Sequence, residues 1–336
     1  AYNIDEPLAN IEDFKLLREV DTATYVLVIG ESTTRRRMSV YGYDRKTTPF
    51  LDSIKPHLWW YNDVISTHAF TIGALRDALT LNGLKSDKDF SIIQLMNQAG
   101  FKTYWISNQR PIGQYESLVT QIAISSDVYL TKNTALDGSI TPHDEILIPE
   151  FKKALTDNAS KKFIVLHPLG THLLYSDRYP EKFDKFKGKS SLNFDHLQAH
   201  KRSNTYDNAI LYHDYFLKQI YQQINDLKHP AYLLYFSDHG DEVYQSIDFS
   251  GHADENPTKA MLEIPFFLWM NEDFKSDFKG KYLPKNPYSL GDFFHTLSEL
   301  NGLRFKTYDS TKSIFYPHDK SKKRVIGEGK YYEDLP

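Results

Sequence analysis

A chain of 336 residues and 39.1 kDa exceeds a typical single domain, yet one large α/β unit accommodates it without a second core. Hydrophobic residues at 40% and charged residues at 25% exclude a disordered, collagen-like or coiled-coil organisation for most of the chain. A net charge of −4 and a pI near 6.4 give nucleic acid no electrostatic footing as a partner, and the absence of cysteine excludes disulfide scaffolds, thiolate metal sites and Cys nucleophiles.

In chain order, residues 1–23 read as a connecting segment and residues 24–336 as a single domain. Tyr25–Gly30 is a continuous apolar run ending in glycine, which predicts a buried strand. Trp59-Trp60-Tyr61 fits an aromatic strand in the core better than a patch resting on lipid headgroups. Ile92–Gly100 predicts a helix with a glycine stop, Thr103–Ser107 a strand, Asp144–Leu155 a helix and Phe163–His167 a strand. Ser176–Lys201 is polar, lysine-rich and poorly periodic; it reads as a surface excursion of about 25 residues, either a solvated insertion or a gate that tunes substrate choice. Asn204–Leu227 carries Ile210, Leu217, Ile220, Ile224 and Leu227 at helical spacing. Strands are predicted at Ala231–Ser237, Ile264–Met270 and Arg324–Ile326, and Asp254-Glu255-Asn256-Pro257 reads as a plain polar turn.

This alternation predicts an α/β fold, a central mostly parallel sheet sandwiched by helices. No apolar run reaches the roughly 18 residues of a membrane span, and the first residue is Ala1, so a region preceding this chain is expected.

In such folds ligands gather beyond the carboxyl ends of the strands. Ser237-Asp238-His239-Gly240 places a carboxylate and an imidazole side by side at one strand end, both good ligands for zinc or another divalent ion. Val28-Ile29-Gly30-Glu31-Ser32 brings a further carboxylate to another, which equally suits the first turn of a helix. The triplet Arg35-Arg36-Arg37 reads as a solvated or salt-bridged face.

The run Tyr25–Ser32, then Met38-Ser-Val-Tyr-Gly-Tyr43, Arg45 and Thr47-Thr-Pro49, resembles the opening signature of the phosphoethanolamine transferases. The likeness continues through His167, Gly170-Thr-His172, Arg178-Tyr-Pro180, Tyr206-Asp-Asn208, Tyr212, Asp214, Ser237-Asp-His-Gly240 and His252. It implies one catalytic domain of the alkaline phosphatase and sulfatase type, tethered at the periplasmic face of the bacterial inner membrane by an N-terminal region absent from this chain.

The resemblance also implies a threonine nucleophile about 40 residues beyond Glu31. Thr71 occupies that place; Thr67 is the alternative register, and a helix-capping role the bland one. By the same resemblance Glu31, Thr71, Asp238 and His239 hold Zn2+ in one tight site, with a second metal entering during turnover. His172, His252 and Asn108 are implied as substrate contacts, and Arg110 stands where the family often has a lysine. The implied reaction moves phosphoethanolamine from phosphatidylethanolamine to lipid A, core oligosaccharide or another envelope acceptor by way of a phosphoethanolamine–threonine intermediate. A monomer without nucleic acid is expected. A phosphodiesterase, a phosphatase or a glycerol-phosphate transferase on the same fold is the competing enzyme reading, and a metal-free binding module the non-enzyme one.

Overall fold

In the computed structural model of the chain, residues 11–86, 89–110, 118–133, 141–327 and 329–336 are described. Seven strands form the central sheet, in the order Leu58–Tyr61, Phe266–Met270, Ala231–Ser237, Ala23–Gly30, Lys161–His167, Lys102–Ser107 and Val128–Thr131. The five from Ala231–Ser237 to Val128–Thr131 pair in parallel, and Phe266–Met270 runs antiparallel to both its neighbours. The expected α/β class is therefore observed, with Trp59 and Trp60 on an edge strand.

Ala23–Gly30 is buried along its whole length because both faces are covered. Tyr25, Leu27 and Ile29 point into one apolar layer, roofed by the helices Ile92–Gln98 and Phe293–Leu300. Val26 and Val28 point into the other, where the helices Leu147–Thr156 and Leu197–Ile224 lie. This alternation of side chains is the period of two that a strand imposes.

Three expectations need correction. The long helix starts at Leu197, inside the segment read as a surface excursion, because His196 accepts from Ala199 N–H (3.2 Å) and caps it. The rest of that excursion is tied down: Asn208 accepts from Lys185 and Phe186 N–H (3.0 and 2.8 Å). Among the described residues, Val325–Ile326 pairs with Lys330–Tyr331 alone, outside the main sheet. Of the segment read as a connector, residues 1–10 lie outside the described residues. The rest is packed: Lys15–Leu16 pairs with Leu303–Arg304, and Arg18 donates to Leu300 O (2.7 Å).

The long helix buries Tyr206, Ile210, His213, Leu217, Ile220 and Ile224, a stripe at spacings of three and four. His213 is the polar member, with both ring nitrogens buried and unpartnered against Phe216 and Tyr235. Burial pushes its pKa down from 6.5 to about 4, so the fold holds it neutral. As pH falls through 6.5 the unfolded chain takes up this proton and the native state does not. Stability is therefore lost between about pH 6.5 and 4, by about 3 kcal/mol from this group. His213→Phe is expected to remove that part of the acid slope, visible as a smaller loss between urea melts at pH 7 and pH 4.5; an unchanged slope would contradict the assignment.

Candidate metal and phosphoryl-transfer site

The three central strands end side by side, and the site is built on their exits. Asp238 N–H donates to Gly30 O (3.0 Å), which locks the Ala231–Ser237 exit to that of Ala23–Gly30. Ser32, at φ +58°, turns the chain sharply there; its N–H donates to Asp238 Oδ1 (3.1 Å) and its Oγ to Glu31 Oε1 (2.7 Å). Tyr206 holds the turn from the long helix, donating to Ser32 O (2.6 Å) and accepting from Thr34 N–H (2.9 Å). From the third strand exit, Thr171 donates to Glu31 O through both N–H and Oγ1 (each 3.0 Å). Gly170 makes this approach possible: at φ +54°, a Cβ here would lie 2.9 Å from the Glu31 backbone N and O.

Glu31, Asp238 and His239 are all buried and bring one ligand atom each within 4.8 Å of the others. His239 Nε2 lies 3.2 Å from Glu31 Oε1 and 3.6 Å from Asp238 Oδ2. Neither His239 Nε2 nor Asp238 Oδ2 has a hydrogen-bond partner. Two orphaned atoms of ligand type facing a third carboxylate, in a space this dry, form a donor set suited to a divalent cation. The electrostatics agree. Burial and the Glu31 charge push Asp238 up to about 7, and although burial opposes it, His239 beside Asp238 and Glu31 is held up to about 10. Burial likewise opposes the Glu31 charge, but His239 and His172 hold that carboxyl well below the usual range.

Thr71 is the first residue of the helix Thr71–Leu79, and its Oγ1 donates to Glu31 Oε2 (3.0 Å). The first N–H groups of a helix lack intrahelical acceptors and face incoming negative charge. Thr71 lines a hollow of about 570 Å³ together with Glu31, Gln109, His172, Arg178 and His252. Thr67 lies elsewhere, lining a larger hollow of about 980 Å³ with Arg76, Asp77 and Arg324 but none of the three buried ligands. The geometry thus brings Glu31, Thr71, Asp238, His239, His172 and His252 to one place.

Asn108 does not join them. It is fully buried, and its amide donates to Asp144 Oδ1 (2.9 Å) and Pro142 O (2.8 Å). The next residue reaches the site instead: Gln109 Nε2 donates to Glu31 Oε2 (3.3 Å) and Pro168 O (2.9 Å). Arg110 is exposed on the wall of the hollow, and Pro111-Ile112 lies outside the described residues. The arginine triplet is structural, Arg37 pairing with buried Asp207 (2.7 Å) and Arg36 with Glu263 (2.6 Å).

Sequence reasoning missed four supporting residues. Asp241, two places past His239, accepts from His252 Nδ1 (2.7 Å) and from Tyr175 Oη (2.6 Å), so His252 is oriented by a carboxylate. His239, Asp241 and His252 form a second group with ligand atoms within 4.8 Å. Asp144 accepts from Leu169 and Gly170 N–H (2.7 and 2.9 Å) and so carries the loop of His172. Asp254 is more than a polar turn: it bonds Ala69 N–H (2.8 Å) and His68 Nδ1 (2.9 Å), joining the approach to Thr71 to the loop that bears His252. Arg178 lines the hollow at 7% exposure. Of these, Asp241 lies inside the Asp-His-Gly-Asp run and Arg178 inside the Arg-Tyr-Pro run, whereas Asp144 and Asp254 carry no local signal.

Residues 23–303 match the family model for sulfatases. The chain belongs to the sulfatase family. This sulfatase-family chain is 37% identical over 343 residues to phosphoethanolamine transferase EptC of Escherichia coli (strain K12), and 38% identical over 343 residues to phosphoethanolamine transferase CptA of Salmonella typhimurium. Both alignments cover 96% of this chain and 57% of the relative, so the chain spans little more than half the length of these proteins. Among solved structures, the C-terminal periplasmic domain of EcEptC from Escherichia coli, in complex with Zn, superposes with a TM-score of 0.91 at 34% identity, covering 98% of both chains. Among the described residues, no helix of this domain is long and apolar enough to cross a membrane.

Two outcomes test the site. Without metal, Asp238 loses stability for the fold as pH rises from its ordinary range towards 7, because the native state holds its proton longer than the unfolded chain does. Asp238→Asn is therefore expected to melt higher than the wild type in chelator at pH 8. It should also lack most of the zinc-induced gain, which for the wild type is about 4 kcal/mol at a thousandfold excess over Kd. Asn108→Leu, by contrast, should cost about 1–3 kcal/mol by stranding Asp144 and leave zinc affinity by calorimetry unchanged.

Proposed function

We propose that the domain transfers phosphoethanolamine from phosphatidylethanolamine to an envelope acceptor such as lipid A, core oligosaccharide or another surface molecule, with Thr71 as the nucleophile. The single observation that carries this is Thr71 Oγ1 at a helix N-terminus, 3.0 Å from a carboxylate of the buried Glu31–Asp238–His239 group. The activity for which EptC and CptA are named suggests the group transferred.

Glu31, Asp238, His239 and Thr71 would hold Zn2+, and the neighbouring His239–Asp241–His252 group is where a second ion would enter. When bound, the ion makes the threonine hydroxyl more acidic and draws charge from the phosphoryl group. Thr71 Oγ1 then attacks phosphorus: the Oγ–P bond forms, the P–O bond to the glycerol breaks, and the proton lost by Thr71 ends on the departing diacylglycerol. His172 and His252 contact the phosphoryl oxygens, and the free N–H groups at the start of the Thr71 helix face the same charge. An acceptor hydroxyl attacks next, the Oγ–P bond breaks, and Thr71 regains a proton. The domain works at the periplasmic face of the inner membrane, held there by the region that precedes it in the whole protein.

The test is the intact mass of zinc-loaded protein after incubation with phosphatidylethanolamine. A gain of one phosphoethanolamine on the wild type but not on Thr71→Ala, with matching release of diacylglycerol, is the expected result. Diacylglycerol release by Thr71→Ala near the wild-type rate would remove Thr71 from the reaction.

A further inference from the structure

Arg178 follows the short turn Tyr175–Asp177, its N–H bonding back to Tyr175 O (3.1 Å). It is 7% exposed and its side chain lines the hollow shared by Glu31, Thr71, His172 and His252. Its Nε is buried without a hydrogen-bond partner, and among the described residues no carboxylate lies within 4 Å of the guanidinium. The charge it feels most strongly, Asp144, is already occupied by Asn108 and by the Leu169 and Gly170 N–H groups, so it balances Arg178 through space and does not bond it.

A buried guanidinium with unspent donors is costly unless something completes it. Its planar fork matches the oxygens of a phosphate group. The hollow offers what such a group needs: His172, Gln109 and the Thr71 hydroxyl line it with Arg178, and exposed Arg110 adds positive potential. Val119 and Ala123 line the same hollow and offer nothing that would compete for an oxyanion. A purely structural Arg178 would be expected to bond Asp144 directly, and it does not.

We infer that Arg178 is a substrate-binding residue whose guanidinium takes the oxyanion of a phosphate group beside Thr71. This rests on the phosphoryl-transfer reading above, and two sources share the chemistry: the phosphoryl group being transferred and a phosphate already carried by the acceptor.

The experiment uses the whole zinc-loaded chain and inorganic phosphate as the probe, with Arg178→Gln and Arg178→Lys. Calorimetry is expected to show phosphate binding weakened by about tenfold or more in Arg178→Gln. Arg178→Lys, which keeps the charge and so protects the fold against the loss of a partner for Asp144, should fall in between while melting near the wild type. Wild-type phosphate affinity in both variants overturns the assignment. With weakened phosphate binding established, slower diacylglycerol release from phosphatidylethanolamine in Arg178→Gln identifies the transferred group. Unchanged release with reduced transfer to a phosphorylated glycan, but not to its dephosphorylated form, identifies the acceptor phosphate. Should the wild type release no diacylglycerol while phosphate binding still depends on Arg178, the donor reading fails and the anion site stands.

Discussion

The site depends on the point where Ala23–Gly30 leaves the sheet. Gly30 O is held from one neighbouring strand by Asp238 N–H, and Glu31 O from the other by Thr171. The first bond continues the parallel ladder and the second ties in the loop beyond the other strand, so the three exits are held together. The backbone strain at Ser32, of order 1–3 kcal/mol for a non-glycine residue at positive φ, persists because Tyr206, Asp238 and Ser237 over-determine the turn. The result is that Glu31 projects its carboxylate into a space already occupied by Asp238 and His239.

That crowding defines what the site can bind. Two carboxylates cannot both be ionised in so dry a place without a cation between or beside them. His239 supplies part of the balance through its Nε2, 3.2 Å from Glu31 Oε1 and 3.6 Å from Asp238 Oδ2, the position from which it would serve a metal. The same field explains Thr71. Its hydroxyl donates a hydrogen bond to Glu31, and it stands where a helix begins. A hydroxyl so placed is poised between a cation that would acidify it and N–H groups that would stabilise the charge it meets.

How much of this could be read from the chain follows from the range of the interactions. The strands Tyr25–Gly30, Thr103–Ser107, Phe163–His167, Ala231–Ser237 and Ile264–Met270 declare themselves through continuous apolar runs, and the residues just past them are where the chemistry sits. Glu31, Asp238 and His239 are legible for that reason. Val128–Thr131 was not, since a four-residue edge strand of half-buried residues carries too short a signal. Asn108, implied by the resemblance as a substrate contact, is instead engaged by Asp144, 36 residues on, a pairing that no local pattern announces. Asp254 fails to announce itself, and the place of Arg178 within its Arg-Tyr-Pro run stays unread, because their meaning lies in contacts, or in missing contacts, made across the fold.

The two kinds of anchoring divide the site into a floor and a wall. The floor, Glu31, Asp238 and His239, is set by strand exits that backbone hydrogen bonds lock together. The wall, with Gln109, His172 and Arg178, stands on loops that converge on Asp144, where one buried carboxylate gathers the Asn108 amide and two backbone N–H groups. A sheet cannot shift one of its strands without breaking the ladder, whereas a loop held by a single carboxylate can be re-aimed by changing a few residues. Under the proposed function, the chemistry that must stay constant would therefore reside on the floor, and the recognition of one phosphate-bearing substrate over another would belong to the wall.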